Sequence, residues 1–406
     1  MEEEIVNLER EISANLSVTS VRNMFYAARK ADLPTVVWSL PRDNKVHFVA
    51  GFSTNTTSKQ YELEISDPGF LLGKFESQFP EQNSFIPADI YFNTKTGLRI
   101  NTPTSEADRS KFKLWKSLVN QPDLLEYDPG NLPEQFGSGT DRETYLKIAK
   151  KGMNRINSGM LKKIVPARLE VIDQPPGFDP VNTFQKLMES YSDAFISLIS
   201  LPGQGIWMGA SPEMLIRVNE NDQFFTTALA GTQLYNPAVP LVKAPWTQKE
   251  IEEQAYVSRY IIDCFKKIRL REFEEVGPRT TRAGSLLHLK TDFQVDLKAT
   301  NFPQLGTVML KLLHPTSAIS GMPKDQSHDF LIEHEQFDRE FFSGFLGPVN
   351  VENTIDIFVN IRCMQILKSK ICLYAGAGIT AYSDPESEWE ETGHKIAVMK
   401  SRLQAY

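Results

Sequence analysis

Cysteine is scarce in this sequence, with three residues in 406, at positions 264, 363 and 372. Their spacing matches no zinc or thiol-redox motif, and Cys363 and Cys372 lie in apolar, strand-like runs, which favours buried free thiols over a disulfide. No run approaches the roughly 20 apolar residues that cross a bilayer. The first residues, MEEEIVNLEREIS, are acidic where a signal peptide is basic and then apolar. These absences predict a cytoplasmic protein without a membrane-spanning segment.

Basic residues are also fewer than acidic residues. Lys and Arg total 44 against 51 for Asp and Glu, which gives a net charge of −7 at pH 7. No basic run interrupts this balance, so we expect no binding to nucleic acid and no attraction to an anionic membrane surface. An anionic ligand must therefore be held by local groups. The hydrophobic content of 41% and the charged content of 23% are ordinary for a globular protein.

Strand-like and helix-like runs are mixed along the chain without regular alternation. A capping-box pattern at Thr140 and Glu143 predicts the start of a helix whose apolar stripe contains Tyr145, Ile148 and Ile156. The mixture predicts an α+β fold with extensive antiparallel sheet rather than a doubly wound parallel sheet. Other runs predict strands at FISLISL, GIWMGAS, MLIRV, FFTTALAG, IFVNIRCMQIL and ICLYAGAGITAY, and helices at TQKEIEEQAYVSRYIIDCFKKI and EHEQFDREFFSGF.

Two pairs of glutamates have helical spacing. Glu250 and Glu253 lie three residues apart in one predicted helix, and Glu388 and Glu391 lie three apart in another, so each pair shares a helix face. If the two faces meet, their carboxylates can hold Mg²⁺, which takes one or two carboxylates and completes its octahedron with water and ligand oxygens. The alternative is a pair of solvated helix faces, the usual setting of such charges, and Glu391 also forms a favourable i,i+4 pair with Lys395.

Two ionisable residues interrupt apolar, strand-like runs. Strand alternation places Lys163 of KIVPAR on an apolar face with Val165. The lysine must then reach out to solvent, pair with an acid, or lose its charge and serve as a neutral base. Pro166 in the same run predicts an edge or a bulge. Glu213 of GASPEML lies between two apolar runs; buried, it stays protonated as a general acid requires, whereas a turn after Pro212 leaves it an ordinary turn residue.

Further positions are candidates for ligand contacts. Arg362 interrupts the apolar run VNIRCM and therefore needs a carboxylate partner, either structural or on a ligand. Gly231 and Thr232 of ALAGT offer backbone amides and a hydroxyl group, or form a plain turn. Taken alone, His288 of LLHLKT and His314 of LLHPT fit buried core or turn residues better than catalysts.

The order and spacing of several stretches give a more specific signal. These stretches are KKIVPAR, GASPEML, ALAGT, KEIEEQAYV, LLHLKT, LLHPTSAISGMP, VNIRC and YAGAGITAYSDPESEWEETGHK. Together they resemble the chorismate-utilising enzymes over residues 140–400, while the first 125 residues contain no matching motif. The resemblance implies one domain over residues 1–406, similar to the large component of anthranilate synthase. Two antiparallel β-sheets would pack face to face, with helices outside and the active site in a cleft.

The resemblance also implies a metal site and a substrate site. Glu253 and Glu391 would ligate Mg²⁺ directly, and Glu250 and Glu388 would act mainly through metal-bound water. The substrate implied is chorismate, a dianion, which the metal and the basic residues would hold by its carboxylates. The residues expected to contact it are Gly231, Thr232, His288, Ala318, Ile319, Arg362, Gly376, Gly378 and Lys395.

Single positions indicate the branch of the family. Ammonia-using enzymes that make anthranilate have glutamine at the position of Lys163, and aminodeoxychorismate synthases have lysine at the position of Ala230. The resemblance therefore implies an isochorismate synthase, acting in menaquinone or siderophore biosynthesis without a glutamine amidotransferase subunit. Lys163 would activate water for attack at carbon 2 of chorismate, and Glu213 would protonate the hydroxyl that leaves carbon 4.

Two alternatives remain beside this interpretation. Salicylate synthases make the same intermediate and then eliminate pyruvate, but they tend to have threonine at the position of Ala318. A non-catalytic chorismate-binding subunit is disfavoured because the chain has both Lys163 and Glu213.

Overall fold

The structure, a computed structural model, describes residues 2–14, 16–121, 126–134, 138–284 and 286–403. The helices are α1 Glu2–Ser13, α2 Val18–Lys30, α3 Glu106–Val119, α4 Arg142–Asn157, α5 Pro180–Ser190, α6 Gln248–Lys267, α7 Leu305–Leu313, α8 Lys324–His334 and α9 Pro385–Lys400. The strands are β1 Thr35–Ser39, β2 His47–Ala50, β3 Asn55–Thr56, β4 Gly69–Gly73, β5 Ser84–Pro87, β6 Ile90–Asn93, β7 Gly97–Ile100, β8 Lys163–Ile164, β9 Ala167–Asp173, β10 Phe195–Leu201, β11 Gly205–Ser211, β12 Met214–Val218, β13 Gln223–Leu234, β14 Glu274–Ala283, β15 Leu286–Asp296, β16 Gly321–Met322, β17 Phe345–Val351, β18 Thr354–Val359, β19 Cys363–Ile366 and β20 Lys370–Gly376.

Most strands belong to two nine-stranded sheets. Sheet I has the order β7-β6-β2-β1-β10-β11-β19-β20-β9, and sheet II has the order β14-β15-β13-β12-β18-β17-β4-β5-β3. Neighbouring strands run antiparallel, for example β1 with β10 in sheet I and β4 with β17 in sheet II. Strands from the first 100 residues therefore pair with strands that lie beyond residue 190. The predicted α+β fold with antiparallel sheets is confirmed.

The two sheets pack against each other through a layer of aromatic residues. Phe195 of sheet I stacks on Phe358 of sheet II, with ring centroids 4.3 Å apart and planes 4° from parallel. Trp38, Phe70 and Trp207 are buried in the same layer. The outer face of sheet I is covered by α2, α3, α5 and α9, and the outer face of sheet II by α4, α6, α7 and α8. A sheet covered on both faces explains why β10 is a continuous apolar run instead of an alternating one.

Several predicted elements are confirmed and two details are wrong. The strands β10, β11 and β12 have the predicted limits. The predicted helix over EHEQFDREFFSGF is wrong, because α8 ends at His334 and Glu340 and Ser343 have left-handed φ values of 45° and 59°. The capping residue of α4 is Asp141, whose side chain accepts from Thr144, and not Thr140.

Two predicted strands are broken at functional candidates. The run KKIVPARLEVI divides at Pro166: β8 pairs with β16, while Ile164 also bridges Ile379 just beyond β20, and β9 continues along β20. The run IFVNIRCMQIL divides at Arg362, whose φ is 50°. The edge or bulge predicted from Pro166 corresponds to this interruption, and β9 is the edge strand of sheet I.

Two expectations from composition agree with the structure. All three cysteines are buried free thiols. Among the described helices, none combines the length and the apolarity needed to cross a membrane.

Candidate active site

A cleft opens where the ends of both sheets meet α6 and α9. The predicted site residues that line it are Glu213, Gly231, Thr232, Glu253, His288, Ala318, Ile319, Arg362, Gly376 and Lys395. Of the other predicted residues, Lys163 and Gly378 lie directly behind Glu253, and Glu250, Glu388 and Glu391 lie on α6 and α9 outside the cleft lining, with Glu388 buried.

Lys163 is completely buried and paired with an acid. Its Nζ lies 3.0 Å from Oε1 of Glu253, and its side chain is 0% exposed. Of the three outcomes that the sequence allows, the structure thus shows pairing, and not a side chain that reaches solvent. A Cβ at Gly378 would collide with Oε1 of Glu253 and lie 3.1 Å from Cε of Lys163. The bare backbone at Gly378 therefore makes room for this ion pair; a contact of Gly378 with substrate stays a prediction.

Glu213 lies in the turn between β11 and β12 but is only 4% exposed. Its backbone accepts from Val359 and donates to the hydroxyl oxygen of Ser211, which fixes the turn. Burial raises the pKa of the carboxyl to about 7, and the positive charges of Lys163 and Arg362 limit the rise. A carboxyl with such a pKa is substantially protonated near neutral pH, so it can donate a proton to a substrate.

Arg362 is a buried cation without a protein partner. The residue is 8% exposed, and its guanidinium group forms no hydrogen bond or ion pair with the residues that the structure describes. Burial lowers its pKa to about 10, against the opposing influence of Glu391 and Glu213. The sequence left open whether its carboxylate partner is structural or on a ligand. No described carboxylate pairs with it, so the structural alternative finds no support among the described residues, and a contact with a ligand carboxylate stays a prediction.

His288 is a neutral group beside Arg362. Its Nδ1 donates to the carbonyl oxygen of Gly231 at 2.9 Å, which leaves Nε2 as an acceptor. Burial, followed by the charge of Arg362, lowers the pKa of the imidazole to about 3. Nε2 is buried and has no hydrogen-bond partner among the described residues. Since Gly231 has a φ of 71°, the residue that presents this carbonyl is in a conformation that favours glycine.

The carboxylates of α9 surround two lysines. Lys249 Nζ lies 3.0 Å from Glu388 and 3.3 Å from Glu391, and Lys395 Nζ lies 2.8 Å from Glu391. Lys395 also donates to the carbonyl oxygen of Gly376 at 2.8 Å. Burial alone would raise the pKa of Glu391, but Lys395 and Lys249 hold it at about 2. Burial and the neighbouring Glu391 instead raise the pKa of Glu388 to about 7.

Glu250 caps the N-terminus of α6. Its carboxylate accepts from the backbone N–H of Thr247 at 2.9 Å and from the Thr247 hydroxyl, which completes a capping box. Within the described ranges, no group of three or more histidine, cysteine or acidic residues is arranged to hold a metal ion. The ammonium group of Lys249 instead lies between Glu388 and Glu391. In the structure the cation beside these carboxylates is thus a lysine, and a Mg²⁺ ion at this place stays a prediction.

A cleft with a buried acid, a buried lysine and an unpaired guanidinium group can bind a small anion and move protons on it, which defines the class of protein as an enzyme. The family model described as chorismate binding enzyme matches residues 35–404. Because this match covers most of the chain, the protein belongs to the chorismate-binding enzyme family. The match begins well before residue 125, so the segment without a recognisable motif is also largely part of the family's sequence pattern.

Individual relatives agree with the family assignment. The isochorismate synthase EntC of Escherichia coli (strain K12) is 27% identical over 264 residues, which are 64% of this chain and 66% of that protein. The chain thus matches slightly less than two thirds of this relative. The structure of MenF, the menaquinone-specific isochorismate synthase from Escherichia coli, superposes with a TM-score of 0.77 at 22% identity, over 94% of this chain and 91% of that one.

The fold is not restricted to the isochorismate synthases. Anthranilate synthase component I from Streptococcus pneumoniae superposes with a TM-score of 0.63 at 18% identity, over 86% of this chain and 83% of that one. Fold alone therefore does not distinguish the reactions of the family, and the distinction rests on the site residues.

The structure adds site residues that the sequence did not single out. Lys249 contacts the α9 carboxylates, and Arg339 lines the cleft and forms a buried ion pair with Glu335. Signals for both were present: Lys249 directly precedes Glu250, and Glu335 and Arg339 have a spacing of four residues. The second signal was hidden because the run EHEQFDREFFSGF was predicted to be one helix.

Proposed function

We propose that the protein is an isochorismate synthase, which converts chorismate to isochorismate. The observation that carries the proposal is that Lys163 and Glu213 are both present and both buried. Enzymes of the ammonia-using branch have glutamine at the position of Lys163. The curated relative EntC bears the same function in its name.

The reaction exchanges one hydroxyl group for another. Lys163, in its uncharged form, accepts a proton from the water that attacks carbon 2 of the ring. The ring double bond shifts, and the carbon–oxygen bond at carbon 4 breaks. Glu213 gives its proton to the leaving hydroxyl, so one water enters and one leaves. General acid and base steps of this kind each contribute about 10²–10⁴ in rate.

Substrate binding uses the remaining polar groups of the cleft. The unpaired guanidinium of Arg362 is placed to form charge-assisted hydrogen bonds with one carboxylate of chorismate. His288 Nε2 offers an acceptor to a substrate hydroxyl, and Thr232 adds a hydroxyl group at the same wall. Ala318 and Ile319 form an apolar wall, and the backbone at Gly376 leaves space for the ligand.

A Mg²⁺ requirement is part of the proposal. Glu253 and Glu391 are the candidates for direct ligands, and Glu388 and Glu250 for contacts through water, with Glu250 leaving its capping position to do so. The ion would supply a positive charge for the second substrate carboxylate. Lys249 must leave the space between the α9 carboxylates before a cation enters.

The test is to incubate the purified protein with chorismate and Mg²⁺, with and without ammonium, and to separate the products by chromatography. Isochorismate should form in both arms, and Lys163→Ala and Glu213→Gln should each reduce its rate about 10²–10⁴-fold. A product that forms only with ammonium would move the protein to the ammonia-using branch. Full turnover in excess chelator would remove the metal from the proposal without affecting the roles of Lys163 and Glu213.

A further inference from the structure

The strand that carries Lys163 changes sheets within a few residues. β8 pairs with β16 as far as Ile164, and β9 pairs with β20 from Ala167 onward. Pro166, between them, has no backbone N–H to donate. A change of sheet at this point leaves the carbonyl of Val165 and the N–H of Ala167 outside the regular strand ladder. Buried backbone groups of this kind need other partners.

One ion pair satisfies both groups. Arg339 Nη2 donates to the Val165 carbonyl at 2.8 Å, and Glu335 Oε1 accepts from the Ala167 N–H at 2.8 Å. The two side chains are joined to each other by two hydrogen bonds of 2.7 and 2.6 Å. The pair thus bridges the backbone on both sides of Pro166.

The same arginine reaches a second segment of the cleft wall. Arg339 Nη1 donates to the carbonyl of Ile319 at 2.9 Å, and the guanidinium lies 4.3 Å from the ring centroid of Phe75. The side chains of Arg339 and Glu335 are 2% and 4% exposed. A buried ion pair is tolerated when its donors and acceptors are satisfied, and here they are satisfied by the backbone of the residues that flank Lys163 and Ala318.

We propose that Arg339 and Glu335 are positioning residues for Lys163. They fix the strand end after Lys163 relative to the segment with Ile319, and this holds Lys163 Nζ at its distance of 3.0 Å from Glu253. The inference rests on the proposed function, in which Lys163 is the general base. A displacement of a catalytic group by about 1 Å lowers a rate by about 10², so the pair acts on the chemical step although it does not transfer a proton.

The test is a double-mutant cycle on kcat. Arg339→Lys keeps the positive charge, but one ammonium group lacks the planar fork that joins Glu335 to both carbonyls. We expect kcat to fall about 10–100-fold while KM for chorismate changes less than about threefold. In a Lys163→Ala background, measured over long incubations, Arg339→Lys should have almost no further effect, because there is no longer a base to position.

The control is Arg22→Lys, which alters a comparable two-point arginine–carboxylate pair with Asp179 remote from the cleft. It should leave kcat unchanged. Thermal unfolding is measured for each variant, and Glu335→Gln replaces Arg339→Lys in the cycle if the latter does not fold. Equal losses of kcat with and without Lys163, or an unchanged kcat in Arg339→Lys, would overturn the inference. If Lys163→Ala alone keeps full kcat, the assignment of Lys163 as base in the proposed function fails separately.

Discussion

Replacing Glu213 by glutamine should make the protein more stable and far less active. Glutamine has nearly the same shape, but it carries no charge at any pH. Glu213 is buried, and its pKa of about 7 lies well above the ordinary value of 4.5. Because burial is the main cause of the shift, the shift measures how strongly the folded protein resists ionisation of this carboxyl.

The magnitude and its pH window follow from the two pKa values. At about 1.36 kcal/mol for each pH unit, the interval between 4.5 and about 7 corresponds to about 3 kcal/mol. The folded-state pKa is the higher one, so between these values the folded protein holds a proton that the unfolded chain has released. The free energy of unfolding of the wild type therefore falls as the pH rises through this window and levels off above about pH 7. Glu213→Gln should not show this fall in the free energy of unfolding, because glutamine carries no charge at any pH.

Urea unfolding of the two proteins at about pH 5 and about pH 8 checks the argument. The stability advantage of Glu213→Gln should be larger at the higher pH by about 2–3 kcal/mol. Glu390→Gln is the control, because Glu390 is exposed and should show no such gain. Over the same series, kcat of Glu213→Gln should be about 10²–10⁴-fold below wild type. If the free energy of unfolding changed with pH in the same way for wild type and Glu213→Gln, the claim that burial keeps the Glu213 carboxyl protonated would be refuted.

The remaining predictions concern the metal, the substrate and the product. Glu391→Gln should abolish the response of activity to free Mg²⁺, and Glu390→Gln should not; equal losses in both would contradict a metal site at Glu391. Lys249→Met should tighten Mg²⁺ binding, measured by calorimetry, by about tenfold, because it removes the ammonium group that occupies the site; weaker binding would show that Lys249 assists the metal. Arg362→Met should raise KM for chorismate about 10–100-fold, the equivalent of a charged hydrogen bond, with a smaller change in kcat; an unchanged KM would show that Arg362 does not bind substrate. With Ala318 in the cleft wall, timed reactions should contain isochorismate as the main product, and salicylate rising together with pyruvate would contradict this.

The strands were predictable where the sequence pattern is local. The runs that form β10 and β11 of sheet I and β12 of sheet II combine β-branched and aromatic residues with clear turn residues at their ends, and both sheets are covered on both faces. The segment after α8 was not predictable in the same way. The run was predicted to be a helix, but Glu335 and Arg339 are buried and bond to the backbone of a strand about 170 residues away in sequence. Such tertiary contacts override helix propensity.

The site was predictable in its residues more than in their contacts. Sequence patterns identified Lys163 as a lysine on an apolar face, but three outcomes were open, and only the position of Glu253 selects the ion pair. The alternative readings of Glu213, as turn residue or buried acid, are both correct in part, because a turn between two buried strands can itself be buried. Glu250 shows the opposite case. Its spacing from Glu253 suggested a ligand, while in the structure its carboxylate caps the helix that carries it.

Burial also explains how a chain with a net charge of −7 offers a site for an anion. The acidic residues around the cleft are as numerous as the basic ones, but burial raises the pKa of Glu213 and Glu388 to about 7, so both are substantially neutral at neutral pH. The basic side chains then outweigh the remaining carboxylates, and a dianionic ligand strengthens this imbalance by raising both pKa values further. Among the described residues that line the cleft, Arg362 is the one basic side chain without a carboxylate partner. The other basic side chains, Lys163, Lys249 and Lys395, each lie against a carboxylate of Glu253, Glu388 or Glu391.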